Sequence, residues 1–130
     1  MESTQLFLRA KRSFLLMVGV IVIATGCVSA ASPEVDPQDA ELVLGRQTYV
    51  NSCVSCHGAT GAGGIGNQIN TPEILELYPT IEDQIEIVTN GRNRMPSFGA
   101  RLSPEEIRAV VRYSRETLIE AALTEVVEPE

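Results

Sequence analysis

The sequence predicts an all-α domain of three to four helices. Three observations carry this. Residues of one face recur at helical spacing, as in Leu42, Gly45 and Tyr49 and again in Ile107, Val110, Val111, Ser114 and Leu118. Each such stretch opens on a capping residue or closes on Gly or Pro. No segment shows the period-two alternation of a half-buried strand.

The first 26 residues are expected to lie outside the fold. Arg9, Lys11 and Arg12 precede an apolar run of 11 residues, Phe14 to Ala24, and small residues follow. That is the layout of a secretory signal peptide, and the run is short of the about 20 residues of a membrane span. Two cleavage readings compete. Ala24-Thr25-Gly26-Cys27 resembles a lipoprotein box, with Cys27 as the acylated N-terminus. Val28-Ser29-Ala30 resembles an ordinary signal-peptidase site, and an uncleaved anchor is a third reading. Two of the three cysteines have another use, described below, so an unpaired cysteine in an exported chain needs a reason. Lipidation of Cys27 supplies one, and residues 27–35 then read as a lipidated N-terminus and flexible tether.

The folded domain is expected over 36–120. Asp36 and Pro37 predict a helix start, an N-cap followed by proline at the first helical position, running to about Asn51. Residues 58–72 are glycine-rich and predict a loop. They lack the Gly-Lys-Ser/Thr ending and the preceding strand of a phosphate-binding fingerprint. A short helix is predicted over 73–78. Thr80 caps another over about 81–89, with Ile81, Ile85 and Val88 facing inward and Asn90-Gly91 ending it. Ser103-Pro104-Glu105-Glu106 is a capping box with proline at the first position, and the last helix follows it. Residues 121–130 predict a fraying acidic tail.

The chemistry lies in Cys53-Val54-Ser55-Cys56-His57, followed by Gly58. Cys-x-x-Cys-His is the attachment pattern of c-type haem. The thiols of Cys53 and Cys56 add across the haem vinyl groups, and His57 binds the iron from one face. A closed zinc site needs four ligands, and the rest of the chain offers only Cys27 and no second histidine. A thioredoxin-like dithiol belongs in a βαβ setting that is missing here. The glycine loop suits backbone that must pass close to a flat haem face. Haem also relieves a meagre core: after residue 26 there is no Trp, and the aromatics are Tyr49, Tyr78, Phe98 and Tyr113. So small a domain is marginal alone, and the apoprotein is expected to fold poorly.

The iron's other face is read by elimination. His57 is the only histidine, and no lysine follows Lys11. Met1 and Met17 lie in the signal, which leaves Met95, in Arg94-Met95-Pro96 between the last two predicted helices. Pro96 holds the backbone of Met95 extended, and His/Met is the usual cytochrome c pair. A five-coordinate iron, acting as a gas sensor or peroxidase-like site, remains the alternative.

At these residues the chain resembles the class I c-type cytochromes of the small bacterial monohaem type, over about 37–118. The resemblance rests on Cys53-x-x-Cys56-His57-Gly58, on Met95-Pro96, on Gly45 and Tyr49 ahead of the haem motif, and on Tyr113 in the last helix. It implies the cytochrome c fold around one covalent haem c. It also implies terminal helices crossing at near right angles, with the glycine permitting close contact. Many members carry a proline after the haem motif whose carbonyl orients the ligand histidine. Here Asn67 follows Gly66, and some carbonyl between Gly63 and Asn67 is expected to take that role.

Removing residues 1–26 takes away Glu2, Arg9, Lys11 and Arg12 and leaves seven arginines against sixteen carboxylates, a net charge of −9. Nucleic acid is an unsuitable partner for such a surface. The acidity suits steering toward a basic docking surface, or serves solubility alone. Arg92, Arg94 and Arg101 cluster around Met95 in sequence, to pair with haem propionates or form a docking rim. The function expected is single-electron transfer, without a small-molecule substrate, on the periplasmic side of a bacterial membrane. The expected partners are redox proteins: a quinol-oxidising complex, or a terminal oxidase or reductase. A fixed haem subunit of a respiratory complex is a further reading.

Overall fold

The computed structural model describes residues 31–127. The expected signal peptide and Cys27 lie outside the described residues. Helix α1 runs Ala40–Ser52, α2 Val54–His57, α3 Glu73–Leu77, α4 Ile81–Asn90 and α5 Pro104–Tyr113. A π-helical turn, Ser114–Leu118, then joins α5 to α6, Ile119–Val127. Among the described residues there is no strand, only an isolated antiparallel bridge between Arg92 and Met95. The all-α expectation holds.

Two of the predicted helix starts are realised as written. Thr80 and Ser103 each head a reciprocal capping box, with Asp83 and Glu106 reaching back to the cap N–H. The first helix departs from its prediction. Asp36 accepts from the N–H of Gln38 at 2.8 Å and closes a turn. The N-cap is Asp39, whose Oδ1 accepts from Leu42 N–H at 3.0 Å. The physical reason lies in the last helix. Arg112 grips Asp39 through Nη1–Oδ1 at 2.9 Å and Nη2–Oδ2 at 2.8 Å, fixing that carboxylate over the first turn. The same guanidinium reaches Glu41 and Glu116.

Helices α1 and α5 pack directly on each other, and α4 lies against α5. Tyr49, Val110, Tyr113 and Leu118 form the buried centre, with Leu42, Cys53, Val54 and Ile69 against it. The Tyr49 and Tyr113 ring centroids lie 5.5 Å apart, tilted by 49°. Gly45 makes the crossing possible, since a Cβ there would lie 2.8 Å from the Ala109 carbonyl carbon and 2.9 Å from Tyr113 Cβ.

Three further expectations are corrected. The segment 32–35 does not hang free. Ser32 is buried, the Ser32 and Pro33 carbonyls accept from Arg46, and Tyr113 Oη donates to the Pro33 carbonyl at 2.8 Å. On α4, the most buried residue is Gln84, with Ile81, Ile85 and Val88 half-buried. Gln84 Nε2 donates to Ser114 Oγ at 3.1 Å, and Ser114 Oγ donates to the Val111 carbonyl, so the buried amide is paired. Last, the helix expected to fray continues to Val127. Burial of Leu118 and Ile119 anchors its start, and Ala121, Ala122 and Leu123 are strong helix formers.

Candidate haem-attachment site

Helix α1 delivers the chain into the cysteine motif without a break. The Cys53 N–H donates to the Tyr49 carbonyl as the last bond of α1, and Cys53 is the N-cap of α2. The Cys53 carbonyl then receives the N–H groups of Cys56 and His57 at 3.1 and 2.9 Å. One helical turn therefore carries Cys53 and Cys56, three residues apart, with His57 beside them. Tyr49 buttresses this turn, its hydroxyl donating to the Gly58 carbonyl at 2.7 Å.

After Gly58 the loop folds back over the motif. The N–H of Gly63 donates to the His57 carbonyl at 2.9 Å, and that of Gly66 to the Cys56 carbonyl at 2.8 Å. This brings the Asn67 carbonyl 2.8 Å from His57 Nδ1. A carbonyl only accepts, so Nδ1 is the donor, and in the neutral ring that leaves the lone pair on Nε2. Gly66 lies against the imidazole: a Cβ there would meet His57 Cε1 at 3.0 Å and Nδ1 at 3.1 Å. The expected carbonyl between residues 63 and 67 is thus that of Asn67. The glycine loop, expected to serve a close backbone approach to haem, here brings backbone onto the histidine ring.

Cys53 and Cys56 are free and half-buried. Burial, with the neighbouring Cys56 adding to it, pushes the Cys53 thiol up to about 11. Among the described residues no group of three His, Cys, Asp or Glu side chains is arranged to hold a metal ion. Two thiols on one turn, next to an imidazole oriented by the Asn67 carbonyl, fit the donor set of a covalent haem.

Met95 sits on the α4–α5 loop, in a tight turn. Arg92 N–H donates to the Met95 carbonyl at 3.1 Å and Met95 N–H to the Arg92 carbonyl at 2.9 Å, with Asn93 in the left-handed region at φ 56°. Met95 is half-buried. Beyond Pro96, the Thr89 carbonyl receives Ser97 Oγ at 2.6 Å and Gly99 N–H at 3.0 Å, which ties the loop to the end of α4. Of the three loop arginines, Arg101 stacks 4.6 Å over the Phe98 ring and Arg92 donates to Tyr78 Oη. Sequence reasoning missed Gln84 and Arg115, which with Ser114 join α4 to the π-turn. Its one signal was Ser114 on an otherwise apolar stripe.

An all-α fold that presents two cysteines and an oriented imidazole on one turn fits a protein that carries haem covalently. Residues 40–113 match the family described as cytochrome c oxidase, cbb3-type, subunit III. The chain belongs to the class I c-type cytochromes, which carry one covalent haem c, and it is an electron-transfer protein. It is 32% identical to chloroplastic cytochrome c6 of Chlamydomonas reinhardtii over 114 residues, covering 85% of this chain and 72% of that one. It is 31% identical to the cbb3-type cytochrome c oxidase subunit FixP of Sinorhizobium medicae over 93 residues, or 64% of this chain, but spans only 32% of FixP. The crystal structure of cytochrome c6 from the diatom Phaeodactylum tricornutum superposes with a TM-score of 0.54 at 36% identity, covering 62% of this chain and 95% of that one.

Proposed function

We propose that this cytochrome passes single electrons between redox proteins through an iron held by His57 and Met95, without turning over a substrate. The observation that carries the reading is the 2.8 Å bond from His57 Nδ1–H to the Asn67 carbonyl. It holds the imidazole in the tautomer that offers Nε2 to a metal and raises its basicity. Met95 is the only thioether after residue 26. Its turn is pinned at both ends, which suits a ligand that must stay in place through a redox cycle. Haem supplies the one-electron couple; the chain supplies ligands, burial and orientation. Two protein ligands leave no open position for substrate.

The test is the far-red absorption band that marks a ferric iron–methionine sulfur bond. The ferric protein is expected to show it and Met95→Ala to lose it. Carbon monoxide is expected to bind the reduced variant but not the reduced wild type at neutral pH. A wild type that lacks the band and binds carbon monoxide overturns the carrier reading in favour of an open-site sensor or peroxidase-like protein.

Localisation and partners follow the same reading. The chain is exported and held at the periplasmic side of a membrane through acylated Cys27. With Ser32 to Val35 docked on the domain, four residues separate that anchor from the fold, a reach of at most about 14 Å. The partners are a quinol-oxidising complex on one side and a terminal oxidase or reductase on the other. The match to a cbb3-type oxidase subunit favours a second reading, a haem subunit fixed in a respiratory complex. Cys27→Ser is expected to release the protein from membranes. Copurification with an oxidase in mild detergent separates the fixed subunit from the mobile carrier.

A further inference from the structure

Methionine sulfur is a neutral ligand, and its hold on ferric iron depends on how well the chain keeps it in place. Ordering a loop residue costs backbone entropy. A turn that is already ordered does not lose that freedom when its ligand binds. The turn carrying Met95 is tied to a distant part of the chain. Arg92, paired through its backbone with Met95, donates from Nη1 to Tyr78 Oη at 3.1 Å. The Tyr78 carbonyl in turn accepts from Arg115 Nη1 at 2.8 Å. Arg115 also reaches the Pro79 carbonyl at 3.2 Å and Gln84 Oε1 at 3.2 Å. Arg115 belongs to the π-turn, and Gln84 is bonded to Ser114 of the same turn.

A π-turn widens a helix locally and is found at functional positions more often than in ordinary helix. This one places Ser114 and Arg115 together against α4 and the 78–80 link. The result is a continuous hydrogen-bonded path from the C-terminal helix, through Tyr78, to the turn of Met95. Gly91 completes the other side of that turn. Its φ is +75°, and a Cβ there would meet the Met95 carbonyl oxygen at 2.6 Å.

We infer that Tyr78 and Arg115 are positioning residues for the Met95 turn, and that their bonds set how readily an outside ligand displaces Met95 from the iron. This rests on Met95 being the iron ligand. The experiment measures the rate at which imidazole binds to the ferric holoprotein, alongside the far-red band and the denaturation midpoint. Tyr78→Phe keeps the ring and removes only the hydroxyl. It is expected to retain the far-red band and to bind imidazole about threefold faster, the scale of one modest hydrogen bond. Arg92→Leu is expected to do the same, and the double variant to go no further than either single one. Arg115→Lys is expected to raise the rate as well, since an ammonium cannot reproduce the guanidinium fork.

Unchanged imidazole rates in Tyr78→Phe overturn the inference, as do single effects that multiply in the double variant. Arg46→Ala, which frees the Ser32 and Pro33 carbonyls and touches none of the residues of that path, serves as a destabilised control, and an equal rise in its rate overturns the inference too. If Met95→Ala leaves the wild-type spectrum unaltered, the ligand assignment itself fails. That outcome is separate from a wild type that has the band and ignores Tyr78.

Discussion

Gly45 and Ala109 meet backbone to backbone where α1 crosses α5, so closely that a Cβ on Gly45 would lie 2.8 Å from the Ala109 carbonyl carbon. The obstacle is main chain, which cannot rotate aside as a flexible side chain would. Gly45→Ala is therefore expected to force the helices apart and to lower stability by about 1–3 kcal/mol. Chemical denaturation of the holoprotein measures it, and an unmoved midpoint would show that the crossing tolerates a methyl group.

Gly66 is the accessible handle on the His57 hydrogen bond, because the acceptor at Asn67 is a main-chain carbonyl. Gly66→Ala puts a Cβ 3.0 Å from the imidazole and has to shift the ring or the loop. Weakening the Nδ1–H bond makes the imidazole a poorer donor and disfavours Fe(III). The reduction potential is expected to rise by on the order of tens of millivolts, since a tenfold change in relative affinity for the two oxidation states is about 59 mV. Spectroelectrochemistry checks it, and an unchanged or lowered potential contradicts the role given to Asn67.

Acid should unlock the Arg112–Asp39 clamp. The hydrogen-bonded Arg112 guanidinium, then the Leu42 N–H, hold the Asp39 carboxyl below its ordinary 3.8. A depressed carboxyl contributes stability that is present above the unfolded value and lost as pH falls through the lower folded one. Stability is thus expected to decline below about pH 4. Asp39→Asn should be less stable near neutrality and lose less on acidification. Denaturation midpoints across that window check it, and parallel curves for the two proteins would remove Asp39 from the account.

The alkaline limb should report the two core tyrosines. Burial raises both, Tyr113 from 10.0 to about 12 and Tyr49 likewise upward. Here the neutral form is favoured in the folded state. The contribution is complete below the unfolded value of 10.0 and is lost as pH rises toward 12. Tyr113→Phe should weaken this limb. It also removes the bond to the Pro33 carbonyl, at a cost of about 1 kcal/mol near neutral pH. Proteolytic cleavage within residues 32–35 should then quicken. Unchanged cleavage there would mean that Arg46 alone holds the segment.

Much of the site was legible because its chemistry is local. Cys53, Cys56 and His57 lie within one turn, and their spacing is the signal. The capping boxes at Thr80 and Ser103 are equally local, since each closes within four residues. Asp36 misled for the complementary reason. It has the right side chain and a proline after it, yet the cap belongs to Asp39, held by an arginine 73 residues away. Gln84 escaped notice because amides are usually exposed, and only Ser114, thirty residues on, makes its burial tolerable.

What the sequence by itself determined is the inventory: all-α helices, two thiols and one imidazole for haem, and a single candidate, Met95, for the iron's other face. Those conclusions need only spacing and a count of residue types. The tertiary structure alone decided which carbonyl orients His57, which carboxylate caps α1, that residues 32–35 dock, and that Tyr78 joins the π-turn to the Met95 turn. Each of these depends on groups far apart in the chain arriving within about 3 Å of one another. Hydrogen bonds at that range are set by packing, which no local pattern of residues records.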